Sequence, residues 1–510
     1  MKKESRKTVN ELKAGAILSY VNLALSCIIP LVYTPIMLRL LGQSEYGLYS
    51  IANSVISYLA LLSFGMGTAV IRYVTMYRAQ NDVQGVERTA GTFVKIYAFL
   101  ALLVCLTGVF LTFISGNVFS EGLSTAEISR LRILICIMTI SVAASFLTSV
   151  FASVVIAYEK YIFSKLLDIA STAILPVINL FILYLGRGSI GLAFVGLLFQ
   201  ITYLLIFILY CTSRLKIRPR FTKAPEGFLR EVWSFSAFVF LSSIVDLLYW
   251  STDKVLIGAR LGTAATAVYN IGGTFTSMLQ NMSGAISNVF GTRVTTMVVT
   301  KKTPHELSDL LIRIGRLQYL VISLILSGYI VFGQVFIYFW AGENYQDAYW
   351  VALVTMIPLS IPLIENIAYN VIVAQNKHQF RAIIYVIIAI ANIISTYLIL
   401  PVFGIIGAAV CTGIAFLVGN GIVMNFYYAR VTKLEIYRFW KNILRMSIVP
   451  VVLIIIGLPL VSKLFKPANL FAFLIEVVIY TIIFCISSWC VSMNNYEKNL
   501  IKELIGKIRR

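Results

Sequence analysis

Apolar runs of about twenty residues recur from one end of this chain to the other, each long enough to cross a hydrocarbon core of roughly 30 Å as an α-helix. Hydrophobic residues make up 59% of the 510 positions and charged residues only 13%, about half the charged share of a soluble domain. The sequence therefore predicts an all-α polytopic membrane protein. Lys2, Lys3, Arg6, Lys7 and Lys13 precede a long first span rather than a short one ending in a small-residue cleavage site, so no removable leader is expected.

Windowed hydropathy gives about 14 transmembrane helices, near 16–38, 46–71, 92–114, 131–156, 163–185, 189–212, 233–257, 265–291, 312–339, 349–374, 382–402, 406–428, 444–462 and 470–492. The connections are short and leave no room for an extramembrane domain. With the amino terminus placed in the cytoplasm, 34 of the 42 Lys and Arg residues fall on the inner side and 8 on the outer. That asymmetry predicts both termini inside and an even number of spans. It also accounts for most of the net charge of +20. The basic residues are spread over eight inner segments instead of forming one patch, so no nucleic-acid partner is expected.

The chain carries an internal duplication. "LGQSEYGLYSI" (Leu41 to Ile51) matches "LGTAATAVYNI" (Leu261 to Ile271), "AYEKYIF" (Ala157 to Phe163) matches "AQNKHQF" (Ala374 to Phe380), and "IGLA" (Ile190 to Ala193) matches "IGAA" (Ile406 to Ala409), in the same order and at nearly one offset. The period spans six helices, an even number, so the two copies enter the membrane in the same sense. The expected organisation is residues 1–230 as an N-lobe (spans 1–6), 231–442 as a C-lobe (spans 7–12), and 443–510 as an appended helix pair with a cytoplasmic tail. A polar working site is expected between the lobes, and the appended pair either lines a groove for a lipid tail or merely adds bulk.

"PIMLRLLGQSEYGLYSIANS", "FGMGTAVIRYV" and "TDKVLIGARLGTAATAVYNI" resemble the bacterial polysaccharide-unit flippases, the O-antigen and exopolysaccharide branch of the multidrug/oligosaccharidyl-lipid/polysaccharide exporter superfamily. The resemblance covers essentially the whole chain. It implies V-shaped MATE-like lobes around a polar, often cationic cavity, and a substrate consisting of an undecaprenyl-pyrophosphate-linked oligosaccharide moved from the inner to the outer leaflet by alternating access. It implies no cofactor or ATP; coupling to Na⁺, H⁺ or the membrane potential is open. Membrane lipids are expected partners, with a polymerase and glycosyltransferases of the same pathway as further candidates, and the bacterial plasma membrane is the expected location.

Charge inside the spans marks the candidate site, since an ionised side chain at the bilayer centre costs roughly 2.5–3.5 kcal/mol on insertion scales. Span 7 carries Asp246, then Asp253 and Lys254, seven and eight residues on; Asp246 and Asp253 share a helical face. Asp246 is read as facing a cavity, whereas Asp253 and Lys254 are read as a structural feature near the outer edge, where Lys can snorkel. Arg39 ends span 1. Arg72 ends span 2 at the inner mouth, where a pyrophosphate would first arrive, unless it is an ordinary anchor. Glu365 sits mid-span between Pro362 and Asn366, a kink with a polar face. Lys165 and Asp168, three apart, read as a local pair.

The seven cysteines lack paired spacing and read as small hydrophobes. His305 and His378 read as isolated, without the neighbours a zinc site or a dyad needs. No loop is large enough for the chemistry of a membrane glycosyltransferase or polymerase, so no enzyme activity is expected. The rivals are a cation-coupled drug exporter of the same superfamily and a flippase for peptidoglycan precursors or teichoic acid.

Overall fold

The computed structural model describes residues 2–222, 251–377, 379–461 and 469–508, together with scattered positions between 231 and 248. Among them there is helix and connecting turn but no strand. Two compact units divide the chain, Met1–Ala267 and Val268–Arg510.

The first unit contains α1 (Lys2–Leu41), α2 (Gln43–Ala60), α3 (Gly67–Ala79), α4 (Val83–Val118), α5 (Thr125–Ala157), α6 (Tyr161–Tyr184) and α7 (Gly188–Leu209). Helix α5 is the central post: α2, α3, α4 and α7 all pack on it, while α1 lies along α6. A capping box starts α5, with the Ser124 side chain accepting from the Glu127 amide and Glu127 returning to the Ser124 backbone. Helix α4 shows how the pattern of the sequence becomes packing. Phe93, Tyr97, Leu100 and Val104 recur every three or four residues and are buried against α5, and Gly108 lets Thr139 approach. The opposite stripe, Phe99, Leu102, Leu106, Val109 and Phe113, is just as apolar and each member is more than half exposed. An exposed apolar stripe of that length belongs in lipid.

The second unit contains α9 (Pro304–Trp340), α10 (Ala348–Ile364), α11 (Asn366–Ala374), α12 (Gln379–Phe416), α13 (Asn425–Val431), α14 (Ile436–Met446), α15 (Ile448–Pro459), α16 (Leu470–Ser487) and α17 (Asn495–Ile508). Helix α8 (Thr252–Val299) runs from the first unit into the second. Here α9 is the post, carrying α10, α14, α15 and α16, and α10 packs on α12. The appended pair α15 and α16 belongs to this unit. Val331 and Phe332 of α9 hold it by packing against Val461, Phe473 and Tyr480.

Eleven helices among the described residues are long and apolar enough to cross a membrane. The difference from the expected fourteen has physical causes. The 53-residue stretch Gln379–Val431 is two passes, because Gly404 (φ 58°) breaks α12 and Asn392 Nδ2 donates to Thr412 Oγ1 across 20 residues at 3.2 Å. A straight helix would hold those residues about 30 Å apart, so the chain reverses. Gly262 (φ 84°) breaks α8 in the same way; only glycine takes such a φ without strain. The first leg of that hairpin carries the end of the expected span 7, about half of whose residues lie outside the described ones. The second leg coincides with the expected span 8, whose Ser, Thr and Asn content keeps it out of the long apolar set.

Proline does less than its reputation suggests. Helix α1 runs through Pro30 and Pro35 without a break, and α6 through Pro176. Helix α10 does stop after Pro358 and Pro362, at Glu365.

Candidate functional site

Two polar assemblies stand out, one inside each unit. In the first, Gly42 (φ 80°) turns the chain from α1 into α2, and the opening turn of α2 presents Ser44, Glu45 and Gly47. Glu45 accepts from Arg130 of α5 and from the Ser189 hydroxyl of α7. Glu127 accepts from the Ser44 hydroxyl at 2.8 Å and the Thr263 hydroxyl at 2.9 Å. The Gly262 turn of α8 is thereby seated directly on α2, so closely that a Cβ on Gly47 would lie 1.8 Å from the Thr263 carbonyl oxygen. Arg260 reaches Glu121 at 2.9 Å, and the Tyr58 and Thr252 hydroxyls meet at 2.6 Å. The bonds of this seam are polar; those of Ser44 and Arg130 lie at its exposed edge, whereas Ser189, Thr252 and Thr263 are buried.

In the second unit, Glu365 occupies the break between α10 and α11 and is 2% exposed. Its Oε1 accepts from Trp440 Nε1 at 3.0 Å, and the same N–H is shared with Asn425 Oδ1 at 3.0 Å. Asn425 closes the wide π-helical segment Leu417–Met424 by donating to the carbonyls of Asn420 and Gly421. Such segments leave backbone groups that side chains must satisfy. Nearby, Arg381 lies over the rings of Tyr369 and Tyr385, at 3.9 and 4.5 Å from their centroids. The Tyr385 hydroxyl donates to Asn420 Oδ1. Trp440 thus plugs the amphipathic helix α14 into the break beside Glu365.

The residues singled out from sequence fall as follows. Arg39 is exposed in the last turn of α1, where a cation suits the helix carboxyl end. Arg72 lies on α3, over the Tyr73 ring and 4.0 Å from Glu231. Asp253 is 1% exposed in the first turn of α8, with Lys254 following it. Asp246 lies outside the described residues. Lys165 and Asp168 form the local pair that their spacing predicts, at 3.1 Å, and the Tyr203 hydroxyl donates to the same Asp168.

Two features escaped the sequence. The first concerns His305, which is not isolated. Its Nδ1 lies 2.9 Å from Glu435 Oε1, Asp309 is 3.8 Å from the other ring nitrogen, and Arg438 ties Glu435 and Asp309 together at 2.8 Å each. Only Asp309, four residues along the same helix, was visible as a neighbour; Glu435 is 130 residues away. His378 lies outside the described residues. The second is Arg316, whose guanidinium grips Glu497 at 2.6 and 3.0 Å, with side chains 9% and 1% exposed. No group of three metal-ligating side chains occurs among the described residues.

Helix α9 is 37 residues, about 55 Å long and well beyond a roughly 30 Å core, so its first turn with His305 stands outside the membrane. There the Glu435 carboxylate raises the His305 pKa, and Glu435 itself is lowered by His305 and Arg438. A raised histidine contributes stability that is complete below its unfolded value, about 6.5, and is lost as pH climbs through the folded value. His305→Gln will therefore flatten the fall in thermal stability between pH 6 and 8; an unchanged pH profile would show that the cluster does not hold α9 to α14.

Residues 12–290 match the model of a family described as polysaccharide biosynthesis protein. The chain belongs to that family. A protein of Shigella flexneri assigned as an O-antigen transporter is 22% identical over 404 residues, covering 77% of this chain and 92% of the relative. The uncharacterized membrane protein EpsK of Bacillus subtilis is 20% identical over 424 residues, covering 81% and 82%. Among solved structures, an inward-closed lipid II flippase MurJ superposes with a TM-score of 0.75 at 16% identity, covering 96% of this chain and 99% of that one. An inward-facing multidrug MATE transporter of the MOP superfamily superposes with 0.66 at 14% identity, covering 85% and 99%. This member of the polysaccharide biosynthesis family thus has the fold shared by those transporters, as its sequence resemblance implied.

Proposed function

We propose that this protein is a flippase for undecaprenyl-pyrophosphate-linked oligosaccharide units, moving them from the inner to the outer leaflet of the bacterial plasma membrane by alternating access, with both termini in the cytoplasm. The observation that carries the reading is the family match over residues 12–290, reinforced by the long alignment with the O-antigen transporter. A sugar chain needs such help, because each hydroxyl taken into hydrocarbon without a partner costs several kcal/mol.

The seam around Ser44, Glu127 and Thr263, inside the first unit, seats the Gly262 turn of α8 on α2. For an energy source, a pyrophosphate with two negative charges gains about 4–5 kcal/mol on crossing 100 mV outward. Asp246 and Glu365 are the acids on which Na⁺ or H⁺ coupling would rest, with Arg39 and Arg72 as cations available to the anionic head group.

A cation-coupled drug exporter is the second reading, favoured by the likeness to the multidrug transporter fold. Deleting the gene in its host separates the two. A flippase mutant loses surface glycan and accumulates lipid-linked units on the cytoplasmic leaflet; intact surface glycan with new sensitivity to cationic dyes would favour the exporter.

A further inference from the structure

The far end of α9 and the segment after it read "GQVFIYFWAGENYQDAYW" (Gly333 to Trp350), rich in aromatic rings and carboxamides. A cavity of about 770 Å³ opens there among α9, residues 346–350 and α15, within the roughly 300–1,000 Å³ range of small-molecule sites. By the charge asymmetry of the loops, this end faces outward.

Part of its wall is a packed cluster of rings, while Gln334, Tyr338 and Trp350 are exposed. Gln334 and Tyr338 are four apart and share one face of α9. The Tyr349 hydroxyl donates to the Ile330 carbonyl at 3.0 Å. The Tyr349 ring stacks on Tyr329 at 5.5 Å and meets Trp350 edge-on at 5.0 Å. Gly333 makes room for that ring, since a Cβ there would come within 2.9 Å of it.

Among the described residues the lining contains no acid, base or histidine: it offers the carboxamides of Gln334 and Gln346, the rings of Tyr338, Phe339, Tyr349 and Trp350, and aliphatic side chains. A charged ligand would find no counter-ion among these residues. An acyl chain would leave both carboxamides unsatisfied. A neutral sugar suits both halves of the wall: its hydroxyls pair with the amides, which both donate and accept, and its C–H faces lie on the electron-rich faces of the rings.

We infer that this cavity is a subsite for a short neutral oligosaccharide. The inference rests on the flippase reading and adds to it a resting place for the glycan on the outward end of the second unit.

The test uses the full chain in lipid nanodiscs, with maltotriose and N-acetylchitotriose as probes and saturation-transfer NMR as the readout. Transfer to the ring protons of at least one probe is expected, falling about tenfold, the worth of one or two hydrogen bonds, in Gln334→Leu and in Trp350→Leu. Both variants must keep the parent's melting temperature; Gln334→Leu replaces an amide by an apolar side chain of similar size and leaves the rings in place. Transfer that is absent from the parent, or undiminished in both variants, overturns the subsite. So does quenching of Trp350 by brominated acyl chains that neither sugar relieves, which would identify the occupant as lipid. Glycan export, measured in the deleted host complemented with the same chains, fails separately: a parent that binds sugar but restores no export counts against the flippase reading and leaves the subsite standing.

Discussion

Arg316→Ala will give a protein that melts well below the parent, or one that no longer inserts stably. Arg316 and Glu497 are both withdrawn from solvent, and the guanidinium also donates to the Ser492 carbonyl at 2.8 Å. Glu497 in turn caps the start of α17, accepting from the Asn494 amide at 2.9 Å while its own amide donates to Asn494 Oδ1. Removing one partner of a buried pair strands the other charge and costs about 3–5 kcal/mol. The pair itself is a weaker source of stability than that figure suggests, because much of its attraction is offset by desolvation. The double change Arg316→Met with Glu497→Leu should therefore recover most of the loss. Thermal unfolding of the three variants in one detergent decides the matter. Equal melting temperatures for Arg316→Ala and the parent would mean that α17 is not anchored through this pair.

The second large effect falls on Gly47. Helix propensity alone favours alanine over glycine by about 1 kcal/mol, so an unobstructed Gly→Ala on a helix should be neutral or stabilising. At Gly196, where nothing lies within 4 Å of the new Cβ, that is the expected outcome. At Gly47 the Cβ would sit 1.8 Å from a backbone oxygen, and overpacking against an atom that cannot rotate away costs roughly 1–3 kcal/mol or more. The steric term wins, and it acts on the seating of α8 upon α2. In a cysteine-free background, Ser44→Cys and Thr263→Cys, whose hydroxyls lie 3.1 Å apart, should cross-link readily, and adding Gly47→Ala should cut the yield severalfold. An undiminished yield would show that the seam tolerates a wider spacing and does not form the close contact seen here.

Helices were legible in the sequence because lipid imposes one simple rule: the backbone must satisfy itself and the side chains must be apolar. The stripe of α4 that faces lipid and the stripe that faces α5 are equally apolar, which is why the span was easy to find and its orientation was not. The reversals at Gly262 and Gly404 fall where the windowed reading separates span 7 from span 8 and span 11 from span 12; in the structure, positive φ at both glycines and the bond of Asn392 to Thr412 mark them.

The polar assemblies were legible in proportion to their sequence separation. Lys165 and Asp168 sit three apart on one helix and were read correctly. Glu45 with Arg130, His305 with Glu435 and Arg316 with Glu497 are 85, 130 and 181 residues apart, and no local pattern joins them. Glu365 was singled out as a mid-span acid at a kink; the Trp440 that holds it comes from an amphipathic connector whose residues look like ordinary interfacial anchors.

The central claim is transport of a lipid-linked glycan, and reconstitution tests it most directly. The purified chain would be placed in unilamellar vesicles with a fluorescent undecaprenyl-pyrophosphate oligosaccharide, and the outer-leaflet fraction followed by an impermeant quencher. For a flippase the quenchable fraction grows far faster than in protein-free vesicles, without ATP, and faster still when the potential drives anions towards the quencher. A quenchable fraction that stays at the protein-free level, in vesicles where the same protein moves a cationic dye, would contradict it.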